Sequence, residues 1–196
     1  MGKREFLIVS FLITGFVVIL LFVVGMASFS VIDLEAGSND GVSLIKDGRY
    51  DDAASVFVGA LESNPDNPEL LNYLGISHFN DGDYTGALKA FMAAKKVDPS
   101  FASAYHNLGL TYYAMGRYYL ALENYERVIN LGADDDLLHY HVGLTKIVLR
   151  DWDGAVESLS MALTLGSQRD IADDKMLGEY RKYLKYAKER AGVGVR

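Results

Sequence analysis

The chain reads as all-α: an N-terminal transmembrane helix, an α-solenoid of about four helix–turn–helix units, and a C-terminal cap helix. Three observations predict this. An aromatic residue recurs every 34 positions, at Tyr50, Tyr84, Tyr118 and Trp152. Two further series keep step with it: Ala53, Ala87, Ala121 and Ala155, and Phe57, Phe91, Tyr125 and Leu159. The run from Phe6 to Ile32 carries no charge. A fixed period of this length marks stacked helical units, each too small to bury its own apolar face.

The uncharged run lies near the N-terminus. A helix needs about 20 apolar residues to cross a bilayer, and residues 6–32 exceed that. A cleaved signal peptide would have an apolar stretch of about 7–15 residues. Here no small residue interrupts Phe6 to Val24 in a way that would end the stretch, although Gly25-Met26-Ala27 resembles a weak cleavage site. The expectation is a retained signal-anchor over 6–32 between a short N-terminus (1–5) and a linker (33–40). Lys3 and Arg4 precede the run and Asp33, Glu35 and Asp40 follow it. Basic flanks stay cytoplasmic, so the repeats are expected outside the cytoplasm in a single-pass topology. The alternatives are repeats facing the cytoplasm, or cleavage and secretion. With no cysteine, a lipid-anchored lipoprotein is excluded.

Beyond the linker the apolar spacing turns helical. In the clearest unit, Leu70, Leu71, Leu74, Ile76 and His78 form one stripe, and Asn80-Asp81-Gly82-Asp83 breaks it. Tyr84, Ala87, Leu88, Phe91, Ala94 and Val97 form a second stripe, stopped at Asp98-Pro99. Apolar residues three and four apart indicate amphipathic helices. Gly48, Gly82 and Gly116 suit the turns between paired helices, and Arg150 stands in that place in the last unit. After the repeats, Leu177, Tyr180, Leu184 and Ala187 keep helical spacing, with Asp173 and Asp174 early and Lys188 and Arg190 late. That charge order suits a helix dipole, and residues 170–191 are expected to form the cap.

These motifs resemble the tetratricopeptide repeat. Its pattern of a large residue, Leu-Gly, Tyr, then Ala and Phe, and finally Pro is met in the second unit by Leu71, Leu74-Gly75, His78, Ala87, Phe91 and Pro99. The third unit offers Tyr105, Leu108-Gly109, Tyr112, Ala121 and Tyr125, and the fourth His139, Val142-Gly143, Lys146, Ala155 and Leu159. The first unit keeps Gly41, Ala53, Phe57 and Pro65. The resemblance implies four units over 41–169 (34–67, 68–101, 102–135 and 136–169) in a right-handed solenoid.

It also implies a concave groove lined by the first helix of each unit. The groove-facing positions are Asn72, Ile76, Phe79 and Asn80 in unit two, then Ser103, His106, Leu110 and Tyr113 in unit three. Unit four supplies Leu137, Tyr140, Leu144 and Ile147, and the first unit only Val42 and Ile45. Such an apolar, aromatic surface marks a protein-interaction site. The other occupants considered are the cap helix, the linker or a second copy. Relatives that hold the acidic tails of heat-shock chaperones do so with Lys, Asn and Arg. Here only Asn107 matches, while Leu137, His141, Ser38 and Val42 fill the remaining places.

Charge and motifs exclude other classes. Residues 33–174 carry 23 acidic and 10 basic residues, and residues 175–196 carry 7 basic and 2 acidic. An acidic body is a poor nucleic-acid surface. His139 and His141 beside Asp134-Asp135-Asp136 raise a metal site, but residues two apart on a helix face different ways. The acids serve better as a helix start. No catalytic signature is present, so neither enzyme activity nor a cofactor is expected. The resulting reading is a membrane-anchored adaptor in a membrane or envelope assembly, acting through its groove on a protein partner. The alternatives are a self-associating structural subunit, hence a homo-oligomer, or a holdase-like chaperone for apolar segments.

Overall fold

The computed structural model describes residues 39–168 and 174–193. Helix α1 covers residues 39–46. It is followed by α2 (Tyr50–Ser63), α3 (Pro68–Asp81), α4 (Tyr84–Val97), α5 (Ala102–Ala114) and α6 (Tyr118–Asn130). Then come α7 (Asp136–Val148), α8 (Trp152–Ser167) and α9 (Asp174–Ala191). The aromatic series marks the first residue of α2, α4, α6 and α8, the second helix of each pair.

The helix starts are written in side chains. Asn67, Asp83, Asp135 and Asp151 each accept a hydrogen bond from the backbone N–H three residues on, at 3.0, 2.9, 2.7 and 3.0 Å. Each thereby satisfies a donor that the helix itself cannot. The turns between paired helices need a left-handed residue, which Gly48, Gly82 and Gly116 provide at φ 75°, 87° and 73°. Arg150 takes the same conformation at φ 62°, where a Cβ is disfavoured.

Pairing within a unit rests on one contact. Gly41, Gly75 and Gly109 lie against the rings of Phe57, Phe91 and Tyr125, and Gly143 lies against Leu159. A Cβ on any of these glycines would come within 3.0 Å of that side chain. Ala53, Ala87, Ala121 and Ala155 are fully buried, four residues before it. Helix α9 packs on α8 and touches α7, burying Leu177, Tyr180, Leu184 and Ala187. The Tyr180 hydroxyl donates to the buried Asp136 carboxylate at 2.9 Å, tying α9 to the start of α7.

One expectation is corrected. The transmembrane signal-anchor over 6–32, its flank 1–5 and most of the linker 33–40 lie outside the described residues. No described helix is long and apolar enough to cross a membrane. The described helices are short and two-faced: α3 has 14 residues and α9, the longest, has 18 and carries basic residues along it. The architecture is therefore a helical array with no membrane-spanning element among its described residues. The membrane-anchored, single-pass localisation and the membrane contact through 6–32 are not carried forward.

The glycine contact gives a direct test. Gly109→Ala is expected to lower stability by about 1–3 kcal/mol, the usual cost of overpacking a closed core. Urea denaturation followed by circular dichroism measures it. An unchanged midpoint would show that the unit can reopen around a methyl group.

Candidate functional site

The first helices α3, α5 and α7 touch in succession, and α9 takes the place of a fifth in the row. Side-chain contacts cross-tie them, the first two made one unit apart with an offset of one residue. Asn107 Nδ2 donates to Asn72 Oδ1 at 2.8 Å, joining α3 to α5. His106 Nε2 and His141 Nδ1 are 3.0 Å apart and share one hydrogen, joining α5 to α7. The Tyr140 ring lies 5.0 Å from that of Tyr180 and 5.8 Å from that of Tyr183, joining α7 to α9. The three rungs are an amide pair, an imidazole pair and an aromatic cluster.

Tyr125 lies beneath the middle rung. Its ring meets His106 edge-on at 5.8 Å and runs nearly parallel to His141 at 6.2 Å. Its hydroxyl is buried and has no hydrogen-bond partner among the described residues. Burial raises the Tyr125 phenol far above its ordinary value, and the Tyr113 phenol adds to that. Burial likewise raises Tyr113 and Tyr140. Desolvation pushes His141 down to about 4 and also lowers His106, against the pull of the Asp135 carboxylate. At neutral pH these imidazoles and phenols are all uncharged.

An open concavity of about 450 Å³ lies between α3 and α5. Glu69, Asn72, Tyr73 and Ile76 line it from α3, and Phe101, Ser103, His106 and Asn107 line it from the start of α5. Tyr73 is held by stacking on Phe57 at 5.4 Å.

The groove positions read from the sequence divide into three groups. Ile76 and His106 line the concavity together with Asn72, which is only 7% exposed because it is tied to Asn107. Phe79, Leu110 and Tyr113 are half-buried and packed on the cluster that contains Phe91 and Tyr125. Phe79 braces Tyr84 at 5.5 Å, and Tyr113 braces Tyr118 at 5.4 Å. Tyr140 and Ile147 pack with the cluster that includes Leu184 and Tyr183 of α9, while Leu144 stays half-exposed. Glu69, Tyr73, Phe101 and Tyr183 were not singled out by the sequence reading. The 35-residue offset between Asn72 and Asn107, and between His106 and His141, was the available signal for the rungs.

The histidine–aspartate cluster separates. His139 Nε2 pairs with Asp134 at 2.6 Å, whereas His141 turns to His106. Asp135 caps α7 and Asp136 holds Tyr180. Among the described residues no three His, Cys, Asp or Glu side chains converge as metal ligands.

Tetratricopeptide-repeat family models match residues 41–101 and 102–133. Over these residues the helix pairs match the tetratricopeptide repeat. Solved structures agree on the fold. MamA (residues 41 to the end) from Desulfovibrio magneticus RS-1 is 21% identical, with TM-score 0.69 over 82% of this protein and 86% of that one. A thermophilic tetratricopeptide-repeat protein from Thermus thermophilus is 26% identical, with TM-score 0.66 over 82% and 84%. The first repeat domain of Spaghetti, solved with the HSP90 peptide SRMEEVD, is 21% identical, with TM-score 0.57 over 60% and 94%. No curated protein matches.

The imidazole rung makes stability depend on pH. Both folded values lie below the ordinary 6.5, so the unfolded state binds protons more readily. The rung's contribution is complete above that value and is lost as pH falls from 6.5 towards 4, on the order of 3 kcal/mol at His141. Replacing the pair by the amide pair used one unit earlier, His106→Asn with His141→Asn, should flatten this slope. Urea midpoints at pH 7.5 and 4.5 measure it; equal slopes in both proteins would remove the rung as the cause. Tyr125→Phe, which restores the residue type of Phe57 and Phe91, should raise stability by about 1 kcal/mol by removing an unpaired buried hydroxyl.

Proposed function

We propose that the array is a protein-interaction scaffold whose concave face seats a segment of a partner protein. The observation that carries this reading is the groove itself. Its first helices present half-buried apolar and aromatic side chains beside amide and imidazole pairs, and all of these are neutral at pH 7. A surface of this kind gains by excluding water around a partner segment, and its few polar groups fix how that segment lies. The fold of the solved relatives, one of them holding a peptide, supports the same reading. A holdase-like role for apolar segments is the second reading, favoured by half-buried Leu110 and Leu144 on the first helices of successive units.

The chemistry differs from what an acidic tail requires. Leu137 and His141 occupy places where a terminal carboxylate would need cations, and the lowered His141 supplies no charge at pH 7. Charge-assisted hydrogen bonds are what hold such a carboxylate.

Affinity purification of the full-length protein, compared with a Leu110→Asp, Tyr113→Asp, Leu144→Asp variant shown to be folded by circular dichroism, tests the scaffold reading. A stoichiometric protein partner that is lost with the variant is expected. Many substoichiometric apolar clients, lost in the same way, would select the holdase reading. Retention by the variant would move the interaction off the groove. The peptide SRMEEVD should show no saturable binding, and micromolar binding would overturn the charge argument.

A further inference from the structure

The geometry points to a basic side chain, arginine or lysine, on an extended partner segment as the occupant of the concavity between α3 and α5. This rests on the scaffold reading and adds the chemistry of the ligand at one subsite.

Four observations converge. Glu69, in the first turn of α3, is exposed at the concavity and makes no ion pair among the described residues. No Lys or Arg lines the concavity. Tyr73 and Phe101 bring two aromatic rings to it and Ile76 adds aliphatic surface. Finally, the Asn72–Asn107 rung uses one donor and one acceptor, leaving Asn72 Nδ2 and Asn107 Oδ1 outside that bond.

Each feature selects a property of the ligand. A long aliphatic stem suits Ile76 while its cationic head suits an aromatic face. The Glu69 carboxylate completes the charge, its pull moderated by water because it is exposed. The rung's remaining amide atoms keep one donor and one acceptor beside the concavity, the two kinds of group that an extended backbone pairs with. A volume of about 450 Å³ holds a side chain together with part of its backbone. The protein's net charge of −7 reinforces the sign at long range. An acidic side chain would meet Glu69 with no cation to offset it.

Fluorescence polarisation of the full-length protein with three short acetylated and amidated Ala/Leu peptides tests this. They differ only at a central residue, which is arginine, glutamine or glutamate. The arginine peptide should bind about tenfold more tightly than the glutamine peptide, the sum of the ring and carboxylate contributions. The glutamate peptide should bind most weakly. Glu69→Gln should narrow the arginine preference over glutamine to about threefold, and Glu69→Lys should reverse the order. Equal binding of all three peptides, abolished by the Leu110→Asp, Tyr113→Asp, Leu144→Asp variant, would overturn the basic-residue inference and keep the groove. Preference for the glutamate peptide would overturn it as well. Binding of none would overturn it too, and the groove would then be decided by the affinity purification alone.

Discussion

Everything in this array depends on a helix that leaves out a side chain where its partner needs room. Gly41, Gly75, Gly109 and Gly143 each accept the body of a large residue 16 positions later, and the buried alanines let the second helix come close enough to supply it. With that contact made, the two helices of a unit have one separation and one register. The next unit then meets a surface whose shape is already set. A solenoid gathers its stability from such nearest-neighbour terms, so the local contact is repeated rather than replaced by a central core. Function inherits this: the groove is a row of first helices, and each is held in place from behind by a large side chain seated on a glycine.

Much of this was legible in the residues. The helix pairs, the left-handed turns and the buried faces follow from period and spacing, because packing in a repeat is a local property that recurs in step with the sequence. The groove was less legible. Asn72, read as a lining residue, is drawn under the surface by Asn107, and Tyr140 is covered by Tyr180 and Tyr183. Both result from contacts between neighbouring helices that fall out of step with the 34-residue period, the first offset by one residue and the second made with the cap helix outside the repeat. Glu69 and Phe101 lie at helix starts, where the periodic pattern has barely begun. The uncharged run at the N-terminus reads as a membrane anchor from its hydropathy, but it lies outside the described residues, and no described helix is long and apolar enough to cross a membrane.

The concave face is more varied than its apolar composition suggests. Its three rungs join successive helices by different chemistry, and only the middle one gains charge as the medium turns acidic. The groove therefore has distinct ends. An amide pair and a carboxylate border an open concavity at α3 and α5, while aromatic rings close the surface where α9 arrives. Each end would meet different features of a bound segment, giving that segment a direction as well as a place.

Arg150 carries a consequence for how the last turn of the array is held. Three turns are made by glycine without strain, and the fourth holds a bulky residue in the left-handed region at about 1–2 kcal/mol. That turn lies between α7 and α8, inside the loop that the Tyr180–Asp136 hydrogen bond closes from α9. The cap helix thus acts as a latch over the most strained hinge in the array. With the latch released, the strained turn would be held by the packing of α7 on α8 alone.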